Sequence, residues 1–133
     1  MRDKSNDIPI GGQLSPQSVA AAGNATGATY VDCRTAAWWV MMASIGAGGG
    51  TATFKWRQAT DSSGTSAKDV SGSPGSATKA ISAANTSGVI DLDPQALDLA
   101  NGFYFIAPRV DVAGGAGTLC GALAVACDPH YAT

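Results

Sequence analysis

Residues 36–64 read AAWWVMMASIGAGGGTATFKWRQATDSSG, and this stretch decides the fold. After the glycine run, Ala52, Phe54 and Trp56 alternate with polar residues, the period-2 pattern of a strand with one face in water. Before the glycine run, AAWWVMMASI is apolar at both parities, so both faces of that strand need cover. The core of a small domain covers one of these faces, and we expect another layer or another protein to cover the second.

The rest of the chain extends this pattern to an all-β protein. About eight short segments read as strands between Gly-rich turns, and 133 residues suit one domain. We expect an antiparallel β-sandwich or jelly roll over residues 17–133. Residues 1–16 hold two prolines and Gly11-Gly12, which predict an extended N-terminal arm that either joins its own sheet or lies on a neighbour. SVAAAG and GATYVDC are two further short strands that could form a hairpin.

Charge and composition exclude several classes of partner. Charged residues make up 14% of the chain, the net charge is -2, and no cluster of Lys or Arg marks a nucleic-acid footprint. We therefore expect no direct nucleic-acid binding. No apolar run is long enough to span a bilayer, and the charged segment MRDKSND is not followed by the apolar segment of a signal peptide. We therefore expect that the protein is made in the cytoplasm and that it does not contact a membrane. The odd number of cysteines favours free thiols.

Candidate catalytic and metal-binding residues are few, and each has a simpler interpretation. The single histidine, His130, cannot build a metal cage of the usual His and Cys spacing from this chain alone. Asp91 and Asp93 share a strand face, but Asp93 before Pro94 is typical of a helix N-cap. The run GAGGG lacks the Lys and Ser/Thr of a phosphate-binding loop. We predict no catalytic, cofactor-binding or metal-binding residues, no cofactor and no enzymatic activity.

The large apolar residues suggest protein contacts instead. Trp38 and Trp39 are neighbours in one strand and must point to opposite faces, so we expect one of them in the core and the other at a contact between subunits. The N-terminal arm also contains apolar residues, spaced among polar ones. The candidate residues for a subunit or capsid interface are Ile8, Ile10, Leu14, Trp38, Trp39 and Met41.

Several short words of this sequence resemble a group of small proteins encoded in the head-gene region of tailed phages and prophages. The start MRDKSND is similar to the group's MRDL-NNI opening, and TATFKWRQATDSSG resembles its central strand and hairpin. FYFIAPRVDVAG and GALAVA match the positions of its last two strands. The acidic-serine pair of the family hairpin is replaced here by Ala59-Thr60, and the hairpin is shorter and more neutral.

This resemblance implies a capsid cement, or decoration, protein of a bacteriophage virion. Such a protein would bind the outside of an HK97-type shell of the major capsid protein and stabilise it, as a homotrimer on the capsid surface. Two alternatives remain at this stage. One is another virion component, such as a head fibre base, a head-tail junction piece or a tail protein, and the other is a carbohydrate-binding or adhesive β-module.

Overall fold

A computed structural model describes residues 10–71, 78–114 and 117–129 of the chain. The strands in these ranges are β1 (Ile10–Val19), β2 (Asn24–Thr26), β3 (Val31–Asp32), β4 (Ala36–Gly48), β5 (Thr51–Ala59), β6 (Lys68–Asp69), β7 (Thr78–Ile81), β8 (Thr86–Leu92), β9 (Phe105–Ala113) and β10 (Thr118–Pro129). Short 3-10 turns lie at Cys33–Thr35, Pro94–Ala96 and Leu99–Asn101. The predominance of strands confirms the predicted all-β class.

The strands form two antiparallel sheets that pack face to face. The four-stranded sheet has the order β1-β10-β4-β8. The six-stranded sheet has the order β2-β9-β5-β6, with β3 also paired to β9 and β7 to β5. One continuous core lies between the two sheets, as expected for a single β-sandwich domain.

The core is built from alternate residues of the central strands. In β4, Trp39 and Met41 point inward and have no exposed surface, while in β5 Phe54 and Trp56 face them from the other sheet and are equally buried. Trp39 also satisfies its polar atom, because its Nε1 donates a hydrogen bond to the carbonyl of Cys33 at 3.0 Å. The alternation predicted for β5 is therefore confirmed.

Strand β10 brings the sheets close together because its inward side chains are small. Cys120, Ala122, Ala124 and Ala126 are buried, whereas the residues between them point away from the core. In the sequence, Leu119, Leu123 and Val125 alternate with these small residues, which predicts that the small face packs closely against another layer, and the structure confirms it. The three cysteines are free, as expected.

The glycine run at the end of β4 carries the chain from one sheet to the other. β4 pairs with β10 and β8, while β5 pairs with β9, β6 and β7, so the two strands are not hydrogen-bonded neighbours. At Gly50 a Cβ atom would lie 2.8 Å from Val112 Cγ1, closer than side chains pack. The Gly50 amide donates to Thr118 Oγ1 at 3.2 Å, which fastens this corner to the start of β10.

The N-terminal part of the chain joins the four-stranded sheet. β1 begins at Ile10 and pairs with β10, with bulges on either side of Leu14. The boundary expected after residue 16 therefore falls inside this strand, and residues 10–16 belong to the sheet of their own chain. Residues 1–9 of the predicted arm lie outside the described residues. The hairpin suggested for SVAAAG and GATYVDC is wrong. SVAAAG covers the end of β1, which pairs with β10, and the turn after it, whereas β3 within GATYVDC pairs with β9 in the opposite sheet.

The predicted helical turn after β8 is confirmed as a pair of 3-10 turns. Asp93 is the N-cap residue, and its side chain accepts a hydrogen bond from the Gln95 amide at 2.9 Å. Buried Gln58 of β5 fastens this segment to the six-stranded sheet, because its side-chain oxygen accepts from the Asp98 amide at 2.8 Å. This polar anchor has no sequence signature.

The corner between the sheets yields a stability prediction. Replacing Thr118 with Val keeps the shape of this fully buried side chain but removes the acceptor for the Gly50 amide. A buried donor without a partner costs about 1–3 kcal/mol. We expect Thr118→Val to lower the free energy of unfolding by that amount in urea titrations. Thr118→Ser keeps the hydroxyl and loses only the buried methyl group, which costs about 0.8 kcal/mol. An unchanged free energy of unfolding in Thr118→Val would show that the hydrogen bond contributes nothing.

Candidate interaction surface

The structure describes the surroundings of Asp91 and Asp93, which were considered for chemistry from the sequence, and of the thiol of Cys33. Cys33 is fully buried, and burial raises the pKa of its thiol to about 11, so the thiol is protonated at neutral pH and is a poor nucleophile. Asp93 caps the turn after β8, and Asp91 lies on β8 opposite Val40. His130 lies outside the described residues.

The most distinctive surface is the outer side of the four-stranded sheet. The register places Val89, Met42 and Leu123 side by side across β8, β4 and β10. The next row on the same side of the sheet consists of Asp91, Val40 and Val125. We call this surface the apolar face. Its apolar members are Trp38, Val40, Met42, Val89, Leu119, Leu123, Val125 and Cys127.

Several of these side chains are open to solvent despite their size. Met42 is 56% exposed, Val89 53% and Leu119 45%. These three are the large hydrophobic residues classed as exposed in the part of the chain that the structure describes. Adjacent apolar residues of this size form a contiguous patch, which a soluble domain rarely leaves in water unless it binds something. The second face of β4 is therefore not covered by another layer of the described chain.

Charge is nearly absent from the strands that build this face. Across β1, β4, β8 and β10 the charged residues are Asp91 and Asp128. Asp91 belongs to β8, which is an edge strand of the sheet. A partner covering the middle of the face therefore has almost no charged group to desolvate, which removes the main cost of burying a surface.

A hollow opens on the apolar face between β1, β10 and β4. Its volume is about 190 Å³. It exists because Gly121 has no side chain there and because β1 bulges away from regular pairing on both sides of Leu14. The hollow is lined by Gln13, Leu14, Pro16, Met42, Ser44, Gly121, Ala122 and Leu123.

The structure separates the interface residues predicted from the sequence. Leu14, Trp39 and Met41 are buried at 1%, 0% and 0% exposure, so they belong to the core and the proposal that they contact a partner is corrected. Trp38 is half-buried on the apolar face. Ile10 pairs with Val125 at the end of β1, and Ile8 lies outside the described residues.

Sequence reasoning missed the most exposed members of the surface. Met42 shares the parity of Trp38 in β4, so the two-sided apolar pattern contained this signal. Val89 could not be found in the same way, because it is the one apolar residue at its parity in β8. Leu119 shares the parity of Leu123 and Val125 in β10, so the sequence placed these three on one face without showing that the face is exposed. Their contribution depends on which strands lie beside β4.

The opposite outer surface of the molecule has a different character. On the six-stranded sheet, Lys55 lies 2.9 Å from Asp69 and 2.5 Å from Asp111, measured between side-chain nitrogen and oxygen. Arg57 pairs with Asp69 at 2.8 Å and Arg109 with Asp111 at 3.0 Å. We call these five residues the ion-pair network. Its charges neutralise one another on a half-exposed sheet, which suits contact with water.

These ion pairs change the titration of both carboxylates. Burial raises the pKa of Asp111, but hydrogen bonds from Lys55 and Arg109 outweigh it and hold the pKa below its usual range. Asp69 is balanced in the same way, since burial opposes the pairs with Arg57 and Lys55 and the pKa is again lowered. Both residues therefore favour the folded state in their ionised form.

A second hollow, of about 210 Å³, lies between β4 and the turn after β8. Arg34 is the cation at its edge, but it is already paired with Asp32 at 2.7 Å and stacks 4.4 Å from the centre of the Tyr104 ring. The pair lowers the pKa of Asp32, chiefly through the side-chain hydrogen bond from Arg34. The guanidinium is therefore engaged within the chain and does not point to a ligand.

The ion-pair network predicts a specific loss of stability in acid. Because the pKa values of Asp69 and Asp111 are lowered in the folded state, their contribution is complete above the unfolded value near 3.8 and disappears as the pH falls through the lower folded values. Lys55→Met should cost up to about 1 kcal/mol at pH 7 and should make the acid loss shallower. Urea titrations at several pH values measure both effects. Lys79→Met is the control, and an equal change in that variant would contradict the assignment.

Among the described residues, no group of three or more His, Cys, Asp or Glu side chains is arranged to hold a metal ion. The part of the chain that the structure describes also contains no helix long and apolar enough to cross a membrane. Comparison with known protein families found no matching family, and comparison with curated proteins found no match either.

Proposed function

We propose that this chain is a structural protein of a tailed-phage particle, and specifically a cement protein that binds the outside of an HK97-type shell and stabilises it. Support comes first from the resemblance of its start, its TATFKWRQATDSSG segment and its last two strands to small phage head-region proteins. The partners in this proposal are the major capsid protein and further copies of the chain. The homotrimer implied by the resemblance stays a prediction, and the place of action is the capsid surface.

The observation that carries the proposal is the contrast between the two outer surfaces. One sheet presents the ion-pair network, whereas the other presents contiguous exposed apolar side chains around Met42 and Val89. A sugar or nucleic-acid site needs polar or basic groups for recognition, and the apolar face has almost none. A surface of this kind is best suited to contact with protein.

Multiplicity on a shell compensates for the modest size of each contact. A small domain makes a limited interface, but copies arranged on a repetitive lattice hold one another in place, so avidity raises the overall strength of binding. Because the apolar face carries so little charge, a contact through it depends only weakly on salt. Both properties suit a protein that must remain on a particle through changes in its surroundings.

The number of copies per particle separates cement from other virion roles. Cement covers the lattice, so its copy number should be close to that of the major capsid protein. A head-tail junction piece would be present at about a dozen copies or fewer, because its copy number is set by the symmetry of one vertex. Quantitative gel densitometry of purified particles measures the ratio. A few copies per particle would exclude the cement role.

Binding to shells gives a prediction for the apolar face. We expect Met42→Asp to reduce binding to shells of the accompanying major capsid protein at least tenfold, because a carboxylate placed in an apolar contact must be desolvated without a partner. Co-sedimentation with empty shells measures the half-saturating concentration. Ala80→Asp adds the same charge to an exposed position of β7 on the other sheet and should bind as the wild type does. Unchanged binding of the Met42 variant would remove the apolar face from the mechanism.

A further inference from the structure

We propose that two copies of this chain pack against each other through the apolar face, related by a two-fold axis that runs parallel to the strands. This pairing concerns the protein free in solution and does not depend on the proposed role in a phage particle. On a particle the shell would take the place of the second copy, because the apolar face cannot hold both at once. The occupant of the face is thus a second copy of the same surface. The shape, the charge and the size of the face each support this choice.

The face carries a projection on one side and a recess on the other. Val89 on the edge strand β8 stands out from the sheet with 53% of its surface exposed. The hollow lies across the sheet, over Gly121 and beside Pro16 of β1, the opposite edge strand. Its volume of about 190 Å³ is ample for a branched aliphatic side chain. The apolar face therefore contains both halves of a fitting contact.

The positions of these two features suit a reciprocal contact. In the order β1-β10-β4-β8, the midline of the sheet runs between β10 and β4. A two-fold axis along this midline carries β8 of one copy over β1 of the other, and β4 over β10. Val89 of each copy then lies at the β1 side of its neighbour's hollow, and both contacts form at once. Such an interface is isologous and closes as a dimer, without leading to a filament.

The same axis places the centre of the face against itself. Met42 and Leu123 are register partners on either side of the midline. Rotation about the axis therefore sets Met42 of one copy over Leu123 of the other, and brings the two Met42 residues within about one strand spacing, roughly 5 Å, sideways. Methionine adapts to such contacts because its side chain is flexible and unbranched.

Charge permits this pairing of like surfaces. Self-association of a charged face would bring equal charges together, but Asp91 is the charged residue on the part of β8 that borders the face. It lies on an edge strand, away from the midline, so the two Asp91 carboxylates remain at the rim of the pair in contact with water. The centre of the contact contains only apolar and small residues.

The size of the face sets the expected strength. Four strands span about 19 Å and the segment from Leu119 to Cys127 spans about 26 Å, so each copy offers a footprint of roughly 500 Å². A pair would bury about 1,000 Å², the lower limit for a specific interface. We therefore expect a reversible dimer with a dissociation constant in the micromolar range. A permanent dimer would need a larger contact.

Sedimentation velocity over a range of micromolar concentrations tests the pairing directly. The wild-type chain should shift from monomer to dimer as its concentration rises, and Met42→Asp should weaken dimerisation at least tenfold. Ala80→Asp, with the same added charge on the other sheet, should dimerise as the wild type does. Thermal unfolding of each variant confirms that it is folded. A wild-type chain that stays monomeric, or that forms trimers, would overturn the proposal.

A charge-reversal pair tests the symmetry of the contact. Met42→Asp and Met42→Lys should each be largely monomeric, because like charges meet across the axis. An equimolar mixture should recover dimers, since the two Met42 positions lie side by side and opposite charges attract. Failure of the mixture to associate while the wild type dimerises would place Met42 away from the axis and would contradict the two-fold geometry.

A natural cysteine reports on the same arrangement. Cys127 is partly exposed on the apolar face near the midline, whereas Cys33 and Cys120 are buried. A short bismaleimide should therefore link two wild-type copies through Cys127, and Cys127→Ser should abolish the linked dimer. Dimers that link equally well in Met42→Asp would contradict the assignment. If the wild type is monomeric but Met42→Asp still loses binding to shells, the shell protein and not a second copy occupies the face.

Discussion

The fold depends on one constraint, that strand β4 has no polar face. Its inward side chains Trp39 and Met41 are matched by Phe54 and Trp56 of the opposite sheet, and this contact forms the centre of the core. The strand must therefore lie in the middle of its sheet, where β10 and β8 satisfy both of its hydrogen-bonding edges. The outward side remains apolar because nothing in the described chain packs over it.

Charge is distributed between the sheets in a way that gives the molecule two different sides. The six-stranded sheet concentrates cations and carboxylates that neutralise one another around Lys55, while the four-stranded sheet is almost uncharged. Such segregation costs little in the ion-pair network, because its groups keep contact with water. The uncharged sheet is then free to be covered without desolvating ions.

Small residues make this arrangement possible at two places. The alanines on the inner side of β10 let the large side chains of β4 and β5 fill the space between the sheets. At the corner between the sheets, Gly50 approaches Val112 and Thr118 too closely for any side chain. A neutral chain rich in small residues therefore still has a densely packed core. On the outer surface, the missing side chain of Gly121 leaves the hollow between β1, β10 and β4.

The sequence by itself determined the class of fold, the alternation of β5, the two-sided apolar character of β4 and the N-cap at Asp93, because period-2 burial and capping are local properties of the chain. It did not determine which strands pair. Only the tertiary structure decided that β4 and β5 belong to opposite sheets, and that Leu14 is buried instead of exposed. Tertiary structure also created the apolar face, because residues distant in the sequence, such as Met42 and Val89, become neighbours only when β8 and β10 pair with β4.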